Sequence, residues 1–349
     1  MERVYIVVSK FMNNFWSLHQ GIVIAGKQVF FHNDPQLSII DGAEYFNFDY
    51  MITDGNIEIN GIEASRIVPP ERLVMVKRYS KVEQAMRLNH YSRRPEFGKE
   101  NFVPIKTWLH PQAMGASNLV SPTGKVVIKP KDGARGIGQF LVDTSKIPFA
   151  VMIDALDRYI KDVYKKVDLF KELNKYDPDM CYSVAGEQRE DEGLGAIKSQ
   201  GYIIQSFVDN ILAEYRVITD RDGTPSYCQQ RSIRGDKDFP QATGSDTNSI
   251  LGDDVVLLSS VLPEDQLNDF KAMSAAVVGP LSSIDLFVTK DGKWGIFEYC
   301  NQFGIKGVPA QVVANLHTDF VEDLIQDPLP PPIMTPGDVS AAIATLTTS

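Results

Sequence analysis

This chain of 349 residues has few cysteines, no long apolar run and no excess of positive charge. Cys181, Cys228 and Cys300 are scattered, without the paired spacing of a zinc site or a disulfide framework. Such thiols fit a reducing compartment, so the cytoplasm is the expected location. No apolar stretch approaches the ~18–20 residues that a bilayer span needs. The opening MERVYIVVSKFMNNFW has an acid at position 2 and lacks the cationic-then-apolar layout of a signal peptide. A net charge of −10 argues against general nucleic-acid binding, while leaving room for a local basic cleft. Heme-attachment, zinc-cluster and serine-elbow motifs are missing as well. What remains is a soluble globular composition, 43% apolar and 23% charged, at a length that suits two or three packed subdomains.

Pattern along the chain predicts an α/β protein. Residues 2–8 alternate as a first strand, and hairpins are expected about Ala25-Gly26-Lys27 and Asn60-Gly61. Residues 1–88 form a small N-terminal α/β unit without a chemical motif. Residues 79–100 begin with helical spacing, 104–109 look extended, and 125–142 read as strand, Gly-rich loop, strand. Residues 152–176 carry apolar side chains at helical spacing. The polar, acidic, Gly-containing stretch 177–201 reads as a mobile loop or insertion. Strands follow over 201–231, a polar loop over 234–253, and a helix over 263–278. A last helix is expected over 309–327, and a flexible tail over 328–349.

Four segments carry chemistry. In Ile128-Lys129-Pro130-Lys131-Asp132-Gly133-Ala134-Arg135-Gly136-Ile137-Gly138 a strand delivers Lys129 beside a loop with Gly133, Gly136 and Gly138. Such a loop brings backbone N–H groups near phosphate oxygens, and the Lys adds a point charge. It is neither a Walker P-loop nor a dinucleotide fingerprint. Next, Tyr202 to Val208 is an apolar strand whose end, with Gln205, Phe207 and Val208, can offer a base an apolar slot and backbone hydrogen bonds. Third, a symmetric four-residue turn at 220–223 would set Glu214 opposite Gln229 and Arg216 opposite Tyr227. Glu214, Arg216, Gln229 and Arg231 then share a polar face suited to phosphate or carboxylate. Fourth, a two-residue turn at Asp291-Gly292 would set Asp285 opposite Glu298. Two carboxylates so placed repel unless a cation lies between them, and with Asn301 they make an all-oxygen set suited to Mg²⁺.

The order of these segments resembles the ATP-grasp superfamily over about residues 90–325, most of all its glutathione-synthetase-like and ribosomal-protein glutamate-ligase-like members. The resemblance implies two α+β subdomains clasping ATP, about 105–209 and 210–327, within an ATP-grasp domain of 89–327. It implies ATP contacts from Lys129, from the Gly-rich loop and from the Gln205-Ser206-Phe207-Val208 hinge. Glu214 would meet the ribose and Arg216 the transferred phosphate or acyl group. Arg231 or Arg234 would be the following catalytic Arg, and Asn248 the Asn of the family's large loop. Asp285, Glu298 and Asn301 would be magnesium ligands.

Three departures stand out. The family ends Glu-x-Asn, whereas Asn301 lies three residues after Glu298, and a bulge at Tyr299-Cys300 would restore the spacing. Arg93, Arg94 and Lys99 compete for the upstream nucleotide-binding cation, with Arg94 carried forward. The N-terminal unit is short of helix for the family's first domain.

The implied activity is ATP-dependent ligation of a carboxylate to an amine through an acylphosphate, with Mg²⁺ and release of ADP and phosphate. Its partners would be ATP, an acid and an amine (amino acid, peptide or protein tail), in a chain that can be a homo-oligomer. The alternatives are a phosphotransferase of the same superfamily or a non-catalytic nucleotide-binding regulator.

Overall fold

A computed structural model describes the strands of residues 1–75. It also describes, with short breaks, residues 79–109, 124–131, 139–178, 187–231, 255–278 and 282–300. The fold is a mixed α/β architecture containing two four-stranded antiparallel sheets, as expected from the sequence.

The N-terminal strands are β1 (Arg3–Val7), β2 (Val23–Ile24), β3 (Lys27–His32), β4 (Tyr50–Thr53), β5 (Glu58–Ile59), β6 (Ile62–Glu63) and β7 (Leu73–Met75). Five form a sheet in the order β2-β3-β1-β4-β7, in which β1 runs parallel to β3 and β4. The two expected hairpins are the antiparallel pairs β2–β3, with Ile24 opposite Lys27, and β5–β6, with Ile59 opposite Ile62. Helix α1 (Lys81–Tyr91) follows. Ser80 caps it: Ser80 Oγ accepts from Glu83 N–H, and the Glu83 carboxylate accepts from Ser80 N–H.

The middle sheet has the order β10-β9-β11-β8, from β8 (Thr107–Leu109), β9 (Lys125–Pro130), β10 (Phe140–Asp143) and β11 (Tyr202–Ser206). Helices α2 (Phe149–Ile160), α3 (Lys166–Leu173) and α4 (Glu187–Gln200) cover one face. Two expectations are corrected here. The helical pattern of 152–176 is two helices, broken where Asp162 adopts a φ of 60°. The stretch read as a loop holds α4, whose Leu194 and Ile197 are buried against the sheet. Only these two apolar residues face inward, so the local periodicity was too weak to announce a helix; burial supplies what the pattern lacked.

The last sheet has the order β13-β12-β14-β15, from β12 (Ile211–Thr219), β13 (Pro225–Arg231), β14 (Ser282–Thr289) and β15 (Trp294–Cys300). Its inner face packs Tyr215, Val217, Ile284, Leu286, Trp294, Ile296 and Tyr299 against α1, α5 (Glu264–Met273) and the π-helical turn Ser274–Val278. The expected helix of 263–278 is this α5 with its π extension. Of the expected last helix, residues 311, 312 and 315 are helical, Pro309 stands before the helix, and the others lie outside the described residues. So do the tail from 328 and the polar loop of 234–253.

Candidate functional site

Alternation along the strands of the last sheet puts apolar side chains on the inner face and a polar set on the other. Register then aligns that set. Gln229 on β13 is opposite Arg216 on β12, Arg216 is opposite Asp285 on β14, and Asp285 is opposite Glu298 on β15. One row thus crosses all four strands. The adjacent row is Arg231, Glu214, Phe287 and Gly295.

Both hairpins reach these pairings by routes the sequence did not suggest. At 220–223 the turn is closed by Asp220 N–H to the Thr224 carbonyl at 3.1 Å, with Gly223 at a φ of 80°. Thr219 pairs with Pro225 and Ile218 with Tyr227, which leaves Ser226 as an extra residue. Glu214 therefore faces Arg231 rather than Gln229, and Arg216 faces Gln229 rather than Tyr227. The slip amounts to two residues, so every side chain keeps its expected face. At Asp291-Gly292 the turn holds three residues, closed by Thr289 N–H to the Lys293 carbonyl at 2.8 Å, with Gly292 at a φ of 78°. That turn alone would oppose Asp285 to Phe297 and send Glu298 into the core beside Ile284. A β-bulge at Phe297 restores the pairing with Glu298. Beyond it the strand is regular: Tyr299 pairs with Ile284 and Cys300 with Ser283. The bulge thus precedes Glu298 instead of following it. The residue sharing the face of Glu298 two positions on is the thiol of Cys300. Asn301 lies outside the described residues.

The polar row is strongly ionic. Arg216 Nε is 3.2 Å from Asp285 Oδ1, and Arg231 Nη1 is 3.2 Å from Oδ2. Burial pushes the Asp285 carboxyl up, but these two guanidiniums outweigh it and hold the carboxyl below its ordinary value. Burial likewise works against the Arg216 charge, and Asp285 more than offsets it. Lys81 Nζ on α1 lies 3.6 Å from Glu298 Oε2. The oxygen-only donors of Asp285 and Glu298, with Asp285 held ionised, fit a hard divalent cation. Among the described residues no group of three His, Cys, Asp or Glu residues gathers.

Lys129 approaches from the middle sheet. It stands on the face of β9 turned away from the helices, beside Ile203 of β11. It is 6% exposed, and its pKa is lowered to about 8. Burial is the main cause and Lys81 adds to it, against the raising effect of Glu298, Glu214 and Asp285. A Lys so poised gains from a phosphate neighbour. Gln205 shares its face and donates from Nε2 to Thr107 Oγ1 at 3.1 Å. Lys129, Gln205, Thr107, Lys81, Gln84, Phe297 and Glu298 line a cleft with about 480 Å³ of space, counted out to solvent. Its aromatic shelf is Phe297, which packs on the fully buried Phe287, 4.5 Å between ring centroids, in a cluster with Val208, Ile211, Val103 and Ile105. Phe207 instead packs on Val127 and Leu141.

Of the expected site residues, Lys129, Gln205, Val208, Glu214, Arg216, Arg231, Asp285 and Glu298 are gathered on these facing surfaces. Arg94 is elsewhere: its guanidinium lies over the Tyr91 ring, 4.7 Å from the centroid. Gly133, Gly136, Gly138, Arg234 and Asn248 lie outside the described residues. Sequence reasoning missed Lys81, Gln84, Phe287 and Phe297. Gln84 accepts from Tyr299 N–H at 3.2 Å and donates to the Tyr79 carbonyl at 2.9 Å, which ties α1 to the outer edge of β15. The helical spacing that begins at 79 signalled α1; nothing local signalled that its first turn meets Glu298.

Solved structures to which this chain is similar include ligases, synthetases and a macrocyclase. D-alanine–D-alanine ligase from Bacillus anthracis is 11% identical, with 92% of this chain and 97% of that one covered and a TM-score of 0.49. A RiPP-associated ATP-grasp ligase from Chryseobacterium gregarium, solved with ADP and a leader and core peptide, is 10% identical over 95% and 98%, also at 0.49. N5-carboxyaminoimidazole synthetase from Staphylococcus aureus is 10% identical over 94% and 78%, at 0.46. Likeness at this level assigns neither reaction nor residues. No family model and no curated protein matches the sequence. Among the described residues no helix is long and apolar enough to cross a membrane.

Proposed function

We propose that this protein is an ATP-dependent carboxylate–amine ligase that forms an amide or peptide bond through an acylphosphate. The observation that carries this reading is the row Gln229–Arg216–Asp285–Glu298, whose Glu298 lines one cleft together with buried Lys129. Paired carboxylates and several converging cations beside an aromatic shelf suit a nucleoside triphosphate. The domain division is part of the same proposal: a small unit of 1–88 followed by an ATP-grasp domain of 89–327.

In this reading the base rests on Phe297 near Val208, and Glu214 takes the ribose. Lys129 and the glycines 133, 136 and 138 hold phosphate oxygens. A carboxylate oxygen of the acid attacks the γ-phosphorus, and the bond to the ADP oxygen breaks. Arg216, Arg231 and Arg234 offset charge on the phosphoryl and acyl oxygens. The amine then attacks the acyl carbon, phosphate leaves, and the amine loses its proton to solvent or a base. Asp285 and Glu298, with Asn301 by resemblance, would hold Mg²⁺, which when bound neutralises phosphate charge. Exclusion of water from the hydrolysable acylphosphate falls to the cleft walls.

The test is ADP release measured against pooled amino acids and peptides, with mass spectrometry of products. The expected result is amine-dependent release of ADP and phosphate, with a product lighter than its two precursors by one water. A phosphoryl group retained on the acceptor would replace this reading with a phosphotransferase. Asp285→Asn is expected to abolish turnover while its circular dichroism spectrum stays that of the parent.

A further inference from the structure

Arg216 and Arg231 come from different strands and meet on one carboxylate, each taking one oxygen of Asp285 at 3.2 Å. All three side chains are largely shielded, at 27%, 15% and 16% exposure, so their mutual pairing is screened little by solvent. A single negative charge thus engages directional donors of two guanidiniums. A polyphosphate arriving alone must compete with that carboxylate for those donors, and it also meets the charge of Glu298 directly opposite. A divalent cation changes the balance, because it competes for Asp285 and turns both guanidiniums toward other anions. Arg suits such an exchange, since its fork serves carboxylate and phosphate equally well.

We propose that Asp285 makes the cleft selective for metal-complexed polyphosphate, by holding one donor each of Arg216 and Arg231, and with it their orientation, until a divalent cation takes the carboxylate in their place. This rests on the reading that a nucleoside triphosphate enters here, and it goes further. Asp285 acquires a second effect, suppression of metal-free anion binding. Removing its charge should then create an anion site, where loss of a metal ligand alone would only weaken binding.

The experiment is calorimetric titration of ATP into the full chain, in EDTA and in Mg²⁺, with no acid or amine present. The proteins are the parent, Asp285→Asn, Arg231→Ala and the double variant. The parent should bind ATP tightly only with Mg²⁺. Asp285→Asn should bind metal-free ATP about tenfold tighter than the parent, the scale of one charged hydrogen bond, and should respond little to Mg²⁺. That gain should disappear in the Arg231→Ala background. Metal-free affinity unchanged by Asp285→Asn would overturn the proposal. So would a gain that persists undiminished without Arg231, because that is the signature of simple charge removal. Asp285→Ala serves as a second variant, with circular dichroism confirming the fold of each. Failure of the parent to bind ATP even with Mg²⁺ would overturn the ligase reading along with this one; failure of the cycle alone would leave the ligase reading in place.

Discussion

Asp285 and Glu298 are direct cross-strand partners because two irregularities cancel. The three-residue turn shifts β15 by one position, and the bulge at Phe297 shifts it back. The core enforces the second shift. Without it, Glu298 would join Ile284 and Trp294, both fully buried, and an unpaired carboxylate there costs several kcal/mol. The bulge lets Ile296 and Tyr299 both stay inside while Phe297 and Glu298 both face the cleft.

Deleting Phe297 should therefore be tolerated. The shortened strand alternates regularly, with Ile296 inside, Glu298 out and Tyr299 inside. We expect cooperative unfolding at a cost of about 1–3 kcal/mol, mainly from the lost ring pair with Phe287. ATP affinity should fall markedly, because the aromatic shelf is lost. Urea denaturation and calorimetry check both; collapse of the fold would show that the bulge is required by more than register.

Lys129 ties stability to pH. Its folded pKa of about 8 lies below the ordinary 10.5, so between these values the unfolded chain holds more proton than the folded one. Stability should rise with pH through that window. Below pH ~8 the buried ammonium costs about 3 kcal/mol, from 2.5 units at 1.36 kcal/mol each. Lys129→Met should thus be more stable than the parent at pH 7, with the difference shrinking toward pH 10.5, while losing ATP binding. Denaturation midpoints across pH measure the first effect. A phosphate beside Lys129 would raise its pKa, so ATP binding at pH 8–9 should take up a proton, seen as a dependence of calorimetric heat on buffer ionisation.

Gln84 holds the outer edge of β15 one residue beyond Glu298. Gln84→Ala leaves Tyr299 N–H without that acceptor, at about 1–2 kcal/mol. The concentration of Mg²⁺ giving half-maximal ATP-dependent thermal shift should rise several-fold, while the metal-free protein loses only that stability. An equal loss with and without metal would reduce Gln84 to a general stabiliser.

Cys300 stands on the face of Glu298 where an oxygen ligand would serve a hard cation better than sulfur. Cys300→Asn should lower the Mg²⁺ requirement in the same assay. It should also narrow any preference for Mn²⁺ over Mg²⁺, which is read by comparing the two metals.

Much of this architecture was legible in the chain. Strand alternation placed Arg216 and Glu214 on one face, and neither hairpin's register error disturbed it. Pairing details were hidden because extra residues such as Ser226 and Phe297 leave no mark on alternation until a core says which side must be dry. Helix α4 was hidden for the opposite reason, since Leu194, Ala196 and Ile197 are its only apolar side chains and make too faint a period.

Sequence by itself determined which side chains could share a strand face, where the turns fall and that Lys129 sits on a strand before a Gly-rich loop. These are consequences of local periodicity and turn chemistry. Tertiary structure decided what those faces meet. It set α1 against β15, so that Gln84 bonds the backbone 215 residues away and Lys81 reaches Glu298, and it turned Lys129 toward the same cleft. Contacts of that range follow from how apolar faces pack, and a linear pattern does not encode which helix will cover which edge.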